Sequence, residues 1–132
     1  MIEILAPKTW TAPKGYANGV AAEGRQVFIA GQIGWDAEQK FVSDAFAAQA
    51  EQAMRNIVTV LAEAGGKPEH VVRLTWYVVD KAEYLAAGRA LGQAYRQIFG
   101  RHFPAMSAVQ VVALMEDRAR VEIEATAVIP RA

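Results

Sequence analysis

The spacing of apolar and polar positions changes several times along the chain, and each change predicts an element. Gln26-Val27-Phe28-Ile29-Ala30-Gly31-Gln32-Ile33 is a short apolar run that follows a Glu23-Gly24 turn and stops at Gly34, so it predicts a strand. Gly19-Val20-Ala21-Ala22, just ahead, is the expected hairpin partner. From Ser43 the period lengthens to that of a helix, with Phe46, Ala50, Ala53, Met54, Ile57, Leu61 and Ala64 on one face. Ser43 is the expected N-cap, Asp44 suits the positive end of the helix dipole, and Gly65-Gly66 supplies a left-handed stop.

The next run, from Val71 to Val79, is β-branched and aromatic and predicts a central strand with Val72, Leu74, Trp76 and Val78 on its core side. Asp80 and Glu83 have capping-box spacing and open a second helix that ends near Phe99-Gly100. Its inner stripe is Tyr84, Ala87, Gly88, Leu91, Gly92, Tyr95, Ile98 and Phe99. Two glycines on one stripe each weaken a helix by about 1 kcal/mol relative to alanine. Close approach to the sheet is the expected compensation, and a ligand reaching the backbone at Gly92 is the alternative.

Two last strands are expected from Ala105 to Leu114 and from Arg120 to Ile129, joined by the charged turn Glu116-Asp117-Arg118. The order strand, strand, helix, strand, helix, strand, strand predicts an α+β fold, one domain over residues 1–132, with two helices on one face of a mixed β-sheet. Polar positions collect on the other face. Arg120, Glu122, Glu124 and Thr126 alternate with apolar residues on the last strand, as do Arg73, Thr75 and Tyr77 on the middle one. That face meets either solvent or another subunit.

Composition narrows the classes. The 132 residues contain no cysteine, which removes disulfide frameworks, thiolate metal sites and cysteine nucleophiles together. Fourteen basic residues balance fourteen acidic ones and do not cluster, which argues against a nucleic-acid partner. The start lacks the basic-then-apolar pattern of a secretory signal, and no apolar run approaches the roughly 18 residues of a membrane span. A cytoplasmic protein with no membrane partner is expected. A hydrophobic content of 53% leaves apolar surface for other copies of the chain.

Candidate chemistry is sparse. Glu122 and Glu124 share a strand face about 7 Å apart, which suits either acid–base work or ion pairing with Arg73 or Arg120. His70 and His102 lack metal-ligand spacing, so a histidine-based metal site would have to be assembled across subunits and a structural or solvated role is expected of both; no metal and no cofactor is expected. Ser43 and Ser107 sit in no nucleophile elbow. Gly31-Gln32-Ile33-Gly34 is not a phosphate loop, but a glycine inside a strand marks a place where backbone or ligand comes close. Trp35, just beyond, is either a pocket wall or a core or interface anchor.

Taken in order, Gly15-Tyr16-Ala17-Asn18-Gly19, Phe28-Ile29-Ala30-Gly31-Gln32-Ile33-Gly34, the helix from Ala48-Gln49-Ala50 to Gly65-Gly66, Phe103-Pro104-Ala105 and Val121-Glu122-Ile123-Glu124-Ala125 resemble the RidA (YjgF) family nearly end to end. The resemblance implies a chorismate-mutase-like fold assembled as a homotrimer, with small-molecule clefts between subunits. It also implies hydrolysis of imines or enamines to a carbonyl product and ammonia. Glu122 falls where the family's water-positioning glutamate stands, and Tyr16 and Gly31 where its cleft tyrosine and strand glycine stand.

Three positions depart from the pattern. Ala30 replaces a frequent serine, Gly92 falls on a frequent asparagine in an ungapped placement from Tyr95, and Met106 replaces the arginine that clamps the substrate carboxylate. Methionine offers no charge and no donor. With Trp35 and Phe103 as further candidate contacts, the implied cleft is larger and more apolar. A divergent deaminase acting on a bulkier or less acidic imine is the expected function. A non-catalytic trimer that binds a metabolite or a protein is the alternative, and an endoribonuclease is disfavoured by the charge balance. Arg73 or Arg101 from a neighbouring subunit is the expected substitute for the missing arginine.

Overall fold

The computed structural model describes residues 2–131; Met1 and Ala132, the ends of the expected domain span, lie outside them. Strands β1 (Ile2–Leu5) and β2 (Gly19–Ala22) pair antiparallel as a separate two-stranded sheet. The main sheet holds β3 (Arg25–Gln32), β4 (Val71–Val78), β5 (Ala105–Gln110) and β6 (Val121–Ile129) in the order β3-β6-β4-β5. Only β4 and β5 run parallel, so the sheet is mixed. Helices α1 (Phe46–Ala62), α2 (Lys81–Ala86) and α3 (Gly88–Phe99) complete the α+β fold.

The helical period of α1 has a direct physical outcome. Phe46, Ala50, Ala53, Met54, Ile57 and Leu61 are buried against Leu74, Trp76, Val121, Ile123 and Ala125 of the sheet. Gly34 permits the closest approach, because a Cβ there would overlap the Gln49 backbone and side chain. Gln49 is fully buried and fully satisfied. Its Nε2 donates to the carbonyls of Ser43 and Arg118, each at 3.0 Å, and its Oε1 accepts from the Arg120 N–H at 2.8 Å. One side chain thus ties the entry of α1 to the connection between β5 and β6.

Several local expectations are corrected. Gly19–Ala22 pairs with β1 instead of β3, because the antiparallel neighbour of β3 is the distant β6. Helix α1 starts at Phe46, and Ser43 Oγ accepts from Ala45 N in a turn ahead of it, so Ser43 is not its N-cap. Asp80 does cap α2, accepting from Ala82 and Glu83 N–H, but the Glu83 side chain turns to Arg120 at 3.0 Å instead of closing a capping box. The expected second helix is two helices broken at Ala87, beside the weak helix former Gly88. In β4 the ladder shifts between Val71 and Arg73, so Val71 takes the core place expected of Val72. Strand β5 ends at Gln110, well before Leu114, and Val112 and Met115 beyond it are exposed.

Candidate functional site

Strand alternation divides the candidate residues between the two faces of the sheet. Across the ladder, Met106, Leu74 and Ala125 form one row, and Glu122 and Tyr77 belong to another. Leu74 and Ala125 are core residues and Met106 packs against them, so Met106 faces the helices. Glu122 and Glu124 alternate with buried Val121, Ile123 and Ala125 and face the opposite way.

On the helix side, Met106 lies in a cavity of about 270 Å³ walled by Trp76, Tyr84, Leu91, Gly92, Tyr95, Arg96, Phe103 and Gly15. The recess continues past Gly15, Trp76, Tyr84 and Met106 towards Lys14, Tyr16 and Ser107. Backbone contacts hold its rim: Ala17 N donates to the Pro104 carbonyl at 3.0 Å, and Ala17 bridges Ala105. Aromatic packing sets its floor. Tyr95 stacks on Phe103 at 5.3 Å and on Phe99 at 4.9 Å, and Tyr84 meets Trp76 edge-on at 6.0 Å. The Tyr95 hydroxyl donates to the His102 carbonyl, and burial pushes its pKa well above the usual tyrosine value. His102 contacts the Val71 carbonyl through Nε2, which is a structural role.

The expected close contact of α3 with the sheet at its glycines is not observed. A Cβ at Gly88 would meet nothing within 4 Å, and one at Gly92 would meet only Arg96 Nη1, at 3.7 Å. Gly92 instead opens the cavity wall. Arg96 is the cavity-lining cation that sequence reasoning missed, although it stands one helical turn from Gly92 and so on the same face.

The other face is polar and open. Between the pairs Ile29–Ala125 and Gln32–Ile123, Ala30 and Gly31 together oppose the single residue Glu124, which makes a bulge. A Cβ at Gly31 would fall where the Glu122 carboxylate sits and would force that side chain to move. Neither Glu122 nor Glu124 forms a salt bridge among the described residues, so the ion pairing with Arg73 or Arg120 is not found; Arg120 pairs with Glu83. Glu124 accepts a hydrogen bond from the Tyr77 hydroxyl at 3.0 Å, and this bond is the main cause of the raised Tyr77 pKa.

The candidate residues therefore form two groups and a remainder. Tyr16, Gly92, Phe103 and Met106 line one recess, while Ala30, Gly31 and Glu122 meet at the bulge. Trp35 belongs to neither: it packs on Phe41 at 5.8 Å, and its carbonyl accepts from Asn56. Arg101 borders a neighbouring groove with Tyr16 and Phe103, and Arg73 lies on the open face beside Tyr77. No group of three or more possible metal ligands occurs among the described residues, and no described helix is long and apolar enough to cross a membrane.

Comparison with known proteins agrees with this architecture. The human protein named 2-iminobutanoate/2-iminopropanoate deaminase is 35% identical over 114 residues, covering 86% of this chain and 79% of its own. Protein DfrA of Myxococcus xanthus is 36% identical over 126 residues, covering 89% of each. The crystal structure of the Rid family protein YyfB from Yersinia pestis superposes with a TM-score of 0.86 at 34% identity, over 97% of this chain and 98% of that one. The YjgF gene product of Escherichia coli superposes at 0.67 with 31% identity, over 96% and 98%. A family model described as Endoribonuclease L-PSP matches residues 7–129. The chain belongs to that family, the YjgF/RidA proteins.

Proposed function

We propose that the protein is an imine or enamine deaminase whose reaction centre is assembled from two chains of a homotrimer, and that its substrate is bulkier or less acidic than a short 2-imino acid. The observation that carries this reading is the Glu122 carboxylate, seated over Gly31 and free of any salt bridge among the described residues. Names of the relatives support the reaction class. The two-chain arrangement is supported by geometry: residues on opposite faces of one sheet meet in a single cleft only when a second copy supplies one of the faces.

In the reaction, Glu122 takes a proton from water as the water oxygen attacks the imine carbon. The C=N π bond opens onto nitrogen, and Glu122 returns the proton it took to that nitrogen. Glu122 then takes the hydroxyl proton of the resulting amino alcohol and passes it to the amine; the C–N bond breaks as the carbonyl forms, so imine plus water gives carbonyl compound plus ammonia with Glu122 ionised again. Tyr16, which borders the recess beside Met106, is assigned in this reading to orienting the substrate.

Ammonia release from a panel of freshly generated imines tests the proposal. Acceleration that disappears in Glu122→Ala is expected; no acceleration by the wild type, or none lost in the variant, would overturn it. One observation favours a second reading, binding without turnover: the clamp position is filled by Met106, within an apolar wall. Saturable ligand binding with no ammonia release is the result expected of that reading. RNA is not the proposed substrate, given a net charge of zero and no clustered cations. Cleavage of RNA at low salt by the purified protein would reverse this.

A further inference from the structure

The cavity around Met106 has two properties that together specify a ligand. Its wall is aromatic and aliphatic, from Trp76, Tyr84, Tyr95 and Met106, and its volume of about 270 Å³ lies near the lower end of small-molecule sites, roughly 300 Å³. Among the described residues the charged side chains of the recess are Arg96 in one part and Lys14 in the other, and no carboxylate lines either part. Among the described residues Arg96 forms no salt bridge, so its guanidinium keeps its donors for a ligand.

Gly92 explains how Arg96 reaches this place. Side chains on a helix lean towards its N-terminus, over the residue one turn earlier. For Arg96 that residue is Gly92, and the guanidinium approaches the space a Cβ would hold there, at 3.7 Å. A large side chain at position 92 would fill the cavity and block that path. The glycine costs helix stability and makes no close contact with the sheet, so its return is the opening over which Arg96 lies.

We infer that Arg96, from the helix wall, holds the anion that Met106 on the strand wall cannot, and that the ligand is a monocarboxylate with an aromatic or branched apolar body. The body sits among Trp76, Tyr84, Tyr95 and Met106, and the carboxylate sits on the guanidinium. This rests on the reading of the Met106 recess as the substrate site, and it selects the bulkier substrate over the less acidic one.

Isothermal titration of the full chain with 3-phenylpropanoate, 3-phenylpropanamide and propanoate tests it without any turnover. Wild type is expected to bind 3-phenylpropanoate saturably and both other compounds at least tenfold more weakly, since one lacks the charge and the other the body. Arg96→Gln should weaken 3-phenylpropanoate roughly 10- to 100-fold, the usual worth of a charge-assisted hydrogen bond, and leave the amide unchanged. Arg96→Lys should recover part of the loss. Gly92→Leu, which improves helix propensity and meets no close neighbour at Cβ, should abolish binding while the fold persists. Equal affinity for acid and amide, an unaltered Arg96→Gln, or no saturable binding by wild type overturns the inference. Turnover that depends on Glu122 but not on Arg96 leaves the deaminase reading intact while this one fails. Arg96-dependent binding without ammonia release does the reverse.

Discussion

The two faces of the main sheet are made by the same strands and have opposite characters. The helix face is packed, aromatic and apolar, and its unfilled part is the Met106 cavity with Arg96 at its wall. The open face carries Glu122, Glu124 and Tyr77 beside Phe28, which is 73% exposed, an arrangement suited to a surface that another subunit covers. Strand alternation keeps the proposed binding residues on one side and the candidate base on the other. The proposed site, which uses both, would draw on two molecules, and the two faces can be perturbed separately.

The largest expected effect is on the open face. Glu122→Gln should lower imine hydrolysis by about 10²- to 10⁴-fold, the range of general acid–base catalysis, with the circular dichroism spectrum unchanged. Unaltered turnover would remove the open face from the chemistry. Gly31→Ala should cost about 10²-fold, because the new Cβ overlaps the Glu122 carboxylate and displaces it. The double variant Gly31→Ala/Glu122→Gln should then be no worse than Glu122→Gln alone, since both changes act on one group.

Stability divides differently, because it belongs to the helix face. Gln49→Leu leaves the Ser43 and Arg118 carbonyls and the Arg120 N–H without their partner, and should destabilise the fold by about 2–4 kcal/mol in urea titration. A loss under 1 kcal/mol would show that water replaces the side chain. Met106→Arg tests the helix face as a binding surface: a gain of roughly tenfold in activity on short-chain 2-imino acids is expected, together with weaker binding of bulky acids as the cavity fills. No gain would mean that position 106 alone does not limit activity on those acids.

The smallest effect is on the Tyr77–Glu124 pair. The Glu124 carboxylate raises the Tyr77 pKa above 10, so the folded protein holds this proton more tightly than the unfolded chain does. The stability it contributes is complete below pH 10 and is lost as pH rises through the folded pKa. Ultraviolet titration should show one tyrosine moving back towards 10 in Glu124→Gln.

Much of this was legible in the residues because the informative patterns are local. The 3.6-residue spacing of Phe46, Ala50, Met54, Ile57 and Leu61 and the alternation of Glu122 and Glu124 with Val121, Ile123 and Ala125 state a face without reference to the rest of the chain. Ordered motifs also pointed to the family. Gln49, in contrast, reads as an ordinary polar position on a helix, because two of its three partners, Arg118 and Arg120, lie some 70 residues away. Arg96, which is exposed, reads only as a surface charge: periodicity tells which residues share its face but not that the Met106 cavity opens beside it.

The sequence by itself determined the chain order of the four main-sheet strands and α1, the buried stripe of α1, the polar and apolar faces of β6 and membership of the YjgF/RidA proteins, since each follows from short-range periodicity or from residue identity in order. Tertiary structure alone decided that β2 joins β1, that a bulge sets Gly31 under Glu122, that Trp35 stays apart, and that Gly92 and Arg96 open onto Met106. Those facts depend on which distant segments the core brings together, and packing between segments is a property that no single segment carries.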